Sequence, residues 1–271
     1  MRTAIVQMSV TADKAKNLAH ARQLVRQAVQ TGADVVILPE MFVCLYENSA
    51  FTQNGEAAGG TVWQCLSDMA RENGVYLVGG TFPEREGANL YNTCFVFDRA
   101  GGQIARHRKM HLFDVDVEGG QRFKESDTFT SGRDVTVFDT EFGKLGVCVC
   151  FDMRFPELAR LMALEGAKAV FVPAAFNMTT GPLHWEVMFR SRAVDNQVFT
   201  VGCAPARDET GPYVSYGNSI AADPWGKVLA RAEEKETILT VELDLSEVER
   251  TRTQLPLLSA RRTDLYTLER K

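Results

Sequence analysis

The sequence predicts one mixed α/β domain, with helices covering the faces of its sheets. Three observations carry this. Short apolar, β-branched runs stopped by proline or glycine alternate with amphipathic stretches, the pattern of repeated βα units. A central segment has strands but no long helix between them, so those strands should pair antiparallel. No linker, low-complexity tract or repeat divides the 271 residues, and α/β domains often reach about 250 residues as one unit. The domain therefore spans 1–271, with 255–271 as a C-terminal tail.

The elements follow in order. Residues 3–8 read as a strand. Ala15, Leu18, Ala21, Leu24, Val25, Ala28 and Val29 recur at helical spacing over 14–30. Asp34-Val-Val-Ile-Leu38 is short, continuous and stopped by Pro39, as a strand buried on both faces would be. The unit repeats as a helix near 61–73 and the strand Val75–Val78, closed by Gly79-Gly80. Strands at 91–97 and 103–109 form the antiparallel part. A third unit runs from the strand Lys144–Cys150 into a helix with Pro156 in its first turn and Gly166 at its end. Ala169–Val172 is the next buried strand, then a helix near 183–194 and a strand at 197–202. Strands near 214–222, 227–232 and 236–243 precede a last helix after Asp244, with Ser246 as its N-cap. The tail is irregular.

Composition narrows the function. With 30 Lys+Arg against 35 Asp+Glu the net charge is -5. That balance argues against a nucleic-acid binder and against docking on anionic membrane, both of which demand a basic excess. No stretch of about 18 uncharged apolar residues spans a bilayer. The N-terminus lacks the apolar run of a signal peptide. The six cysteines, Cys44, Cys65, Cys94, Cys148, Cys150 and Cys203, form no C-x-x-C pair. A reduced, cytosolic protein is expected. The sequon Asn177-Met-Thr179 then has no role. Walker A, G-x-G-x-x-G and G-x-S-x-G strings are absent; Gly217-Asn-Ser-Ile-Ala221 lacks the second glycine.

Ligands in α/β sheets gather at the carboxyl ends of strands. Glu40, Lys109 and Cys150 each fall at such an end. A thiol at a strand-to-helix turn faces backbone N–H groups that favour the thiolate and hold an oxyanion. On strand geometry alone, however, Cys150 reads rather as a small buried hydrophobe, as most free cysteines are. Cys148 lies two residues earlier, so strand alternation aims both thiols at one face. No nearby His or Cys completes a zinc site around them. Glu40 reads alone as a loop residue. Lys109 sits in the basic string Arg106–His111, an exposed strand or a phosphate patch. His184 beside Trp185 reads as a structural histidine.

The residues themselves carry a resemblance. Leu38-Pro-Glu40, Arg108-Lys-Met-His-Leu-Phe113 and Cys150-Phe-Asp-Met-Arg-Phe-Pro-Glu157 resemble, in order, the three signature blocks of the nitrilase, or carbon–nitrogen hydrolase, superfamily. The likeness continues through Pro173–Asn177, Gly181–Glu186, Arg190–Asn196, Asp223–Gly226 and Arg261–Tyr266. It implies a four-layer αββα sandwich and a Glu–Lys–Cys triad. Residue by residue, Glu40 is then the general base, Lys109 the electrostatic stabiliser and proton donor, and Cys150 the nucleophile, with a second glutamate, Glu125, helping to position substrate and water. The backbone N–H of Phe151 would hold the oxyanion. The resemblance implies neither metal nor organic cofactor. It also implies a homodimer or higher even oligomer, its irregular, apolar tail covered by a partner.

Within the superfamily, Ala175-Phe-Asn-Met-Thr-Thr-Gly-Pro182 and His111-Leu-Phe-Asp-Val-Asp116 look most like the omega-amidases, which hydrolyse the ω-amide of 2-oxoglutaramate and 2-oxosuccinamate through a thioester. Deaminated glutathione amidase is the alternative, then an N-carbamoyl amidohydrolase. A non-enzymatic binding protein and a thiol redox sensor are the alternatives of a different class. A short anionic substrate needs a cationic anchor. Arg154 is one candidate, its competing role being a structural pair with Asp152 or Glu157. The loop from Asn177 to Gly181 is a candidate pocket wall.

Overall fold

The computed structural model describes residues 1–211 and 213–271. The chain order is β1 (Arg2–Gln7), α1 (Lys14–Val29), β2 (Val35–Ile37), α2 (Asn48–Asn54), α3 (Thr61–Asn73), β3 (Tyr76–Val78), β4 (Phe82–Glu86), β5 (Asn89–Phe97), β6 (Gln103–Arg108), β7 (Asp114–Asp116), β8 (Arg122–Lys124), β9 (Thr136–Thr140), β10 (Gly143–Val147), α4 (Pro156–Leu164), β11 (Ala169–Pro173), α5 (Gly181–Asn196), β12 (Phe199–Cys203), β13 (Ile220–Ala222), β14 (Val228–Arg231), β15 (Thr237–Glu242) and α6 (Ser246–Gln254).

These strands make two large sheets. One runs β15-β1-β2-β3-β5-β4, with β6 on β5; the other runs β14-β13-β12-β11-β10-β9. A small hairpin, β7-β8, stands apart. The βα units are parallel, as continuous apolar runs demand: β1 with β2, β2 with β3, β10 with β11 and β11 with β12. The middle segment is antiparallel, with Thr93 opposite Arg108 and Cys94 opposite His107.

Alternation of side chains along each strand builds the layers. Ile5, Val35, Ile37, Val78, Cys94 and Val96 of the first sheet meet Leu145 and Val147 of the second in one buried core. The other face of the first sheet packs Val36, Leu77 and Phe95 against Leu24 and Val25 of α1 and Leu66 and Met69 of α3. Leu158 and Met162 of α4 and Trp185 and Phe189 of α5 cover the second sheet. The result is the four-layer αββα sandwich. Among the described residues no helix is long and apolar enough to cross a membrane.

Several sequence expectations shift. The short α2, β4, β9 and the β7–β8 hairpin carry no strong periodicity and escape a reading by pattern. Ser246 is not an N-cap: it opens α6, and Asp244 accepts its N–H at 3.1 Å and its hydroxyl at 2.6 Å. The strand expected from Lys144 to Cys150 ends at Val147, and a 3₁₀ turn covers Cys150–Arg154. Residues 255–271 have neither helix nor strand.

Candidate active site

Lys109 is the centre of the site. It follows β6 directly, and its N–H still bonds Asn92 C=O at 2.9 Å. Its side chain is fully buried, so its charge needs partners. Nζ lies 3.0 Å from Glu40 Oε1 and 2.8 Å from Glu125 Oε2. Burial works against the ammonium, but the Glu125 and Glu40 carboxylates more than reverse this and hold it charged well above the ordinary lysine range. The basic string Arg106–His111 is thus neither an exposed strand nor a phosphate patch. Arg106 and Arg108 pair with Glu84 on the opposite face of the sheet, while Lys109 points inward.

Glu40 follows β2 and Pro39, on a loop pinned at both ends by one residue. Thr81 N–H donates to Pro39 C=O at 3.2 Å, and Met41 N–H to Thr81 Oγ1 at 2.9 Å. Gly80 has φ +60, and a side chain there would collide with the Pro39 carbonyl, so glycine is required. Glu40 Oε1 accepts from Lys109, from Asn92 Nδ2 at 2.8 Å and from the Tyr46 hydroxyl at 3.4 Å. Its Oε2 is buried without a hydrogen-bond partner. Burial raises Glu40 above the usual carboxylate range; Lys109 opposes this and Glu125 adds to it.

Glu125 opens a short 3₁₀ turn after β8. Phe113 N–H fixes its Oε2 at 2.6 Å, and Asn92 Nδ2 reaches its Oε1 at 3.0 Å.

Cys150 has φ +46, a left-handed conformation costly for a side-chain-bearing residue. The left-handed φ takes Cys150 out of the extended backbone on which strand alternation rests, while both thiols stay buried in one core cluster. Cys148 lies in the core between the sheets. The N–H groups of Cys150 and Phe151 precede the first bond of the turn, from Asp152 N–H to Val149 C=O at 3.0 Å. Burial, then the Glu40 carboxylate, push the Cys150 thiol well above its ordinary value, although Lys109 and the Ala175 N–H pull the other way. The thiol is therefore protonated at rest. The turn does not by itself supply the thiolate that the sequence reading expected.

Asp152 ties the thiol's turn to the lysine's strand. Its Oδ2 accepts from His107 Nε2 at 2.9 Å and Val149 N–H at 3.0 Å. Its Oδ1 accepts from His111 Nδ1 at 2.8 Å and His111 N–H at 2.9 Å. Burial alone would raise this carboxyl; these bonds hold it well below the usual range.

Asp152 is thus occupied, and Arg154 does not pair with it or with Glu157. Arg154 Nη1 donates to His184 Nδ1 at 3.0 Å, and the guanidinium lies 4.5 Å from the Phe176 ring centre. Its Nε is buried and unpartnered. Among the described residues no carboxylate neutralises it. With Cys150, Phe151, Ala175, Phe176, Thr180 and Tyr213 it lines a recess of about 180 Å³. A larger opening of about 490 Å³ reaches Glu40 and Tyr46 from the other side; Ala175 and Tyr213 line both. Asn177 is buried behind the wall: its Oδ1 accepts from the N–H groups of Thr179 and Thr180 at 3.1 Å, and Thr180 is the residue that reaches the recess.

The structure thus brings together Glu40, Lys109, Glu125, Cys150, Phe151 and Arg154, and sets Asn177 behind them. Asn92, Tyr46 and Tyr213 lie in no motif that sequence reasoning reads, and Asp152, inside the Cys150–Glu157 block, reads there only as a pairing candidate for Arg154. Asn92 alone had a signal, the strand register that sets it opposite Lys109.

Comparison with known proteins shows the family of the chain. A family model described as carbon-nitrogen hydrolase matches residues 2–253. The chain is 46% identical to omega-amidase NIT2 of Mus musculus over 270 residues, covering 100% of this chain and 98% of that protein. The crystal structure of Nit3 from Saccharomyces cerevisiae, a member of branch 10 of the nitrilase superfamily, superposes with a TM-score of 0.89 at 41% identity, covering 97% of this chain and 96% of that one. An amidase from Nesterenkonia sp. AN1, at TM-score 0.77 and 26% identity, covering 94% of this chain and 98% of that one, carries acrylamide added at its active-site cysteine.

Proposed function

Because the chain belongs to the carbon–nitrogen hydrolase family, we propose that it is an omega-amidase, releasing ammonia from the ω-amide of short 2-oxo dicarboxylic acid monoamides. One observation supports this most: a buried Glu–Lys–Glu cluster beside a strained thiol, with an unneutralised arginine across the same recess.

The chemistry follows from the charges. The amide carbonyl enters between Cys150 and the Phe151 N–H. Glu40 Oε2 takes the thiol proton as sulfur attacks the carbonyl carbon. The oxyanion forms against the Phe151 N–H and the Lys109 ammonium. Glu40, now protonated, returns the proton to the amide nitrogen. The C–N bond breaks, ammonia leaves and a thioester remains. Glu40 then takes a proton from water, which attacks the thioester; the C–S bond breaks, the acid leaves and the proton returns to sulfur. Glu125 holds Lys109 and the attacking water in place.

Arg154 supplies the anchor for the remote carboxylate, since a bidentate guanidinium matches that group. A low-pKa redox sensor is disfavoured, because the thiol is pushed up rather than down.

We further propose a homodimer or a multiple of one. Leu183, Val187 and Val194 expose an apolar stripe of α5, and Leu255, Leu257, Leu265 and Tyr266 expose another along the tail. A cytosolic location agrees with six free cysteines. The test of function is ammonia release from 2-oxoglutaramate, 2-oxosuccinamate, deaminated glutathione, a nitrile and an N-carbamoyl amine. The two 2-oxo acid amides should have the highest kcat/KM. Deaminated glutathione ahead by tenfold would reassign the branch, and turnover of none of them would defeat the reading.

A further inference from the structure

We infer that Asn92 is a positioning residue that commits Glu40 to a single basic oxygen, the Oε2 available to the Cys150 thiol. The inference rests on the Glu40–Lys109–Cys150 reading above and adds a member to it.

The register carries the argument. Thr93 pairs with Arg108, so the next pair outward is Asn92 with Lys109, and Lys109 N–H to Asn92 C=O at 2.9 Å confirms it. Directly opposed residues in an antiparallel pair extend from the same face. Asn92 and Lys109 therefore enter the site side by side, as two donor groups. Lys109 spans Glu40 and Glu125 with its ammonium. Asn92 spans the same two carboxylates with its amide: Nδ2 reaches Glu40 Oε1 at 2.8 Å and Glu125 Oε1 at 3.0 Å. A primary amide has two N–H bonds, one for each. Its own Oδ1 is buried without a partner. That orphaned oxygen is the cost of aiming the amide this way, and the opposite orientation would put oxygen against two carboxylates.

The consequence falls on Glu40. Lys109, Asn92 and Tyr46 all donate to Oε1, and none donates to Oε2. A proton bound at Oε1 would displace these donors, whereas one at Oε2 displaces none. Proton exchange with sulfur and with water is thereby directed to Oε2. Asn92 also bridges two carboxylates that would otherwise share only Lys109 and the longer bonds of the Tyr46 hydroxyl. Without its amide, Glu40 would hold its proton more tightly and rotate more freely.

The groups facing Glu40 are Lys109 from the end of β6, Glu125 from its 3₁₀ turn, Tyr46 from the loop before α2, Cys150 from the strained turn, and Tyr213 from the loop before β13. Of the donors to Glu40 Oε1, Asn92 is the one that carries no titrating group, so its removal changes the field without adding or removing a charge.

The experiment compares Asn92→Ala and Asn92→Leu with the unaltered enzyme, using ammonia release from 2-oxoglutaramate across pH. Both variants should lose about ten- to hundredfold in kcat, the size of a hydrogen bond to a charged group. KM should change by less than about threefold, because Asn92 does not reach the recess beside Cys150. Losing a donor to the ionised form raises the Glu40 pKa, so the acid limb of kcat/KM should move up by about one pH unit. Asn92→Leu should be the slower variant, since Asn92→Ala leaves room for a water to donate instead. If Asn92→Leu does not fold, the Asn92→Ala limb decides. A variant that melts earlier but keeps the original acid limb and kcat gives Asn92 a merely structural role and overturns the inference. Glu40→Gln run alongside tests the underlying reading: a fully active Glu40→Gln would remove both.

Discussion

Arg154→Met is the sharpest probe of substrate recognition. The substitution keeps an unbranched apolar side chain but removes the guanidinium, and with it the contact to the Phe176 ring. In the structure one Nη1 proton goes to His184 Nδ1 at 3.0 Å, Nε has no partner, and no carboxylate among the described residues neutralises the charge. Four N–H bonds are thus left, of which a bidentate substrate carboxylate would use two. Each hydrogen bond to a charged partner contributes about 1.5–3 kcal/mol, and the two are not additive, so about 3 kcal/mol is at stake. That equals a loss of about a hundredfold in kcat/KM for 2-oxoglutaramate. A neutral amide such as propionamide never uses the anchor, so its kcat/KM should change by less than about threefold. Arg154→Lys should recover little, because a compact ammonium cannot span both carboxylate oxygens. The assay is ammonia release from both substrates by each variant. An equal loss on both would mean that Arg154 supports the Cys150 turn rather than the substrate. No loss on 2-oxoglutaramate would remove Arg154 from recognition.

Four further outcomes are expected. Cys150→Ala should abolish turnover while Cys148→Ala, altered only in the core between the sheets, keeps most of it; mass spectrometry of a trapped thioester should find the acyl group on Cys150, and an adduct on Cys148 would reverse the assignment. Lys109→Ala should cost about 3–4 kcal/mol of transition-state stabilisation, as one oxyanion donor does, and kcat within tenfold of the original would exclude that role. Because burial and Glu40 push the Cys150 thiol up, alkylation by neutral iodoacetamide should be slow at pH 7 and climb steeply with pH; fast, pH-independent labelling would imply a preformed thiolate. Asp152 is held below the usual range, so the unfolded chain takes up its proton first as pH falls below about 4, and stability drops from there downward; urea midpoints of Asp152→Asn should show a shallower acid slope, and an unchanged slope would assign the effect to other carboxylates.

Much of the candidate site was legible because Glu40, Lys109 and Cys150 sit in compact motif strings that resemble a known family; their strand-end positions alone left Cys150 reading as a buried hydrophobe. Glu40 behind a proline stop, Lys109 closing a strand and Cys150 before a helix are local facts, and the apolar runs that lead to them set their depth in the fold. The βα units were legible for the same reason: Val35–Ile37, Leu145–Val147 and Ala169–Val172 are buried on both faces, so each reads as an unbroken apolar run. The elements that escaped, α2, β4 and the β7–β8 hairpin, are short and pack a few residues each against what surrounds them. Their conformation is decided by neighbours distant in sequence rather than by periodicity.

Apolar periodicity along the chain by itself determined a mixed α/β domain, while the four-layer order and the candidate triad came from the resemblance of three motif strings to the carbon–nitrogen hydrolases. Only the tertiary structure decided what those residues are at rest. Burial of Cys150 beside Glu40 keeps the thiol protonated, and burial of Lys109 between two carboxylates keeps the ammonium charged. The left-handed turn at Cys150 ended a strand that its own residues would extend. Arg154 was left without a carboxylate partner because Asp152, two residues away, was already filled by His107 and His111 from β6 and the loop after it. Desolvation and ion pairing depend on distance in space and on the exclusion of water, and neither quantity exists until the chain has folded.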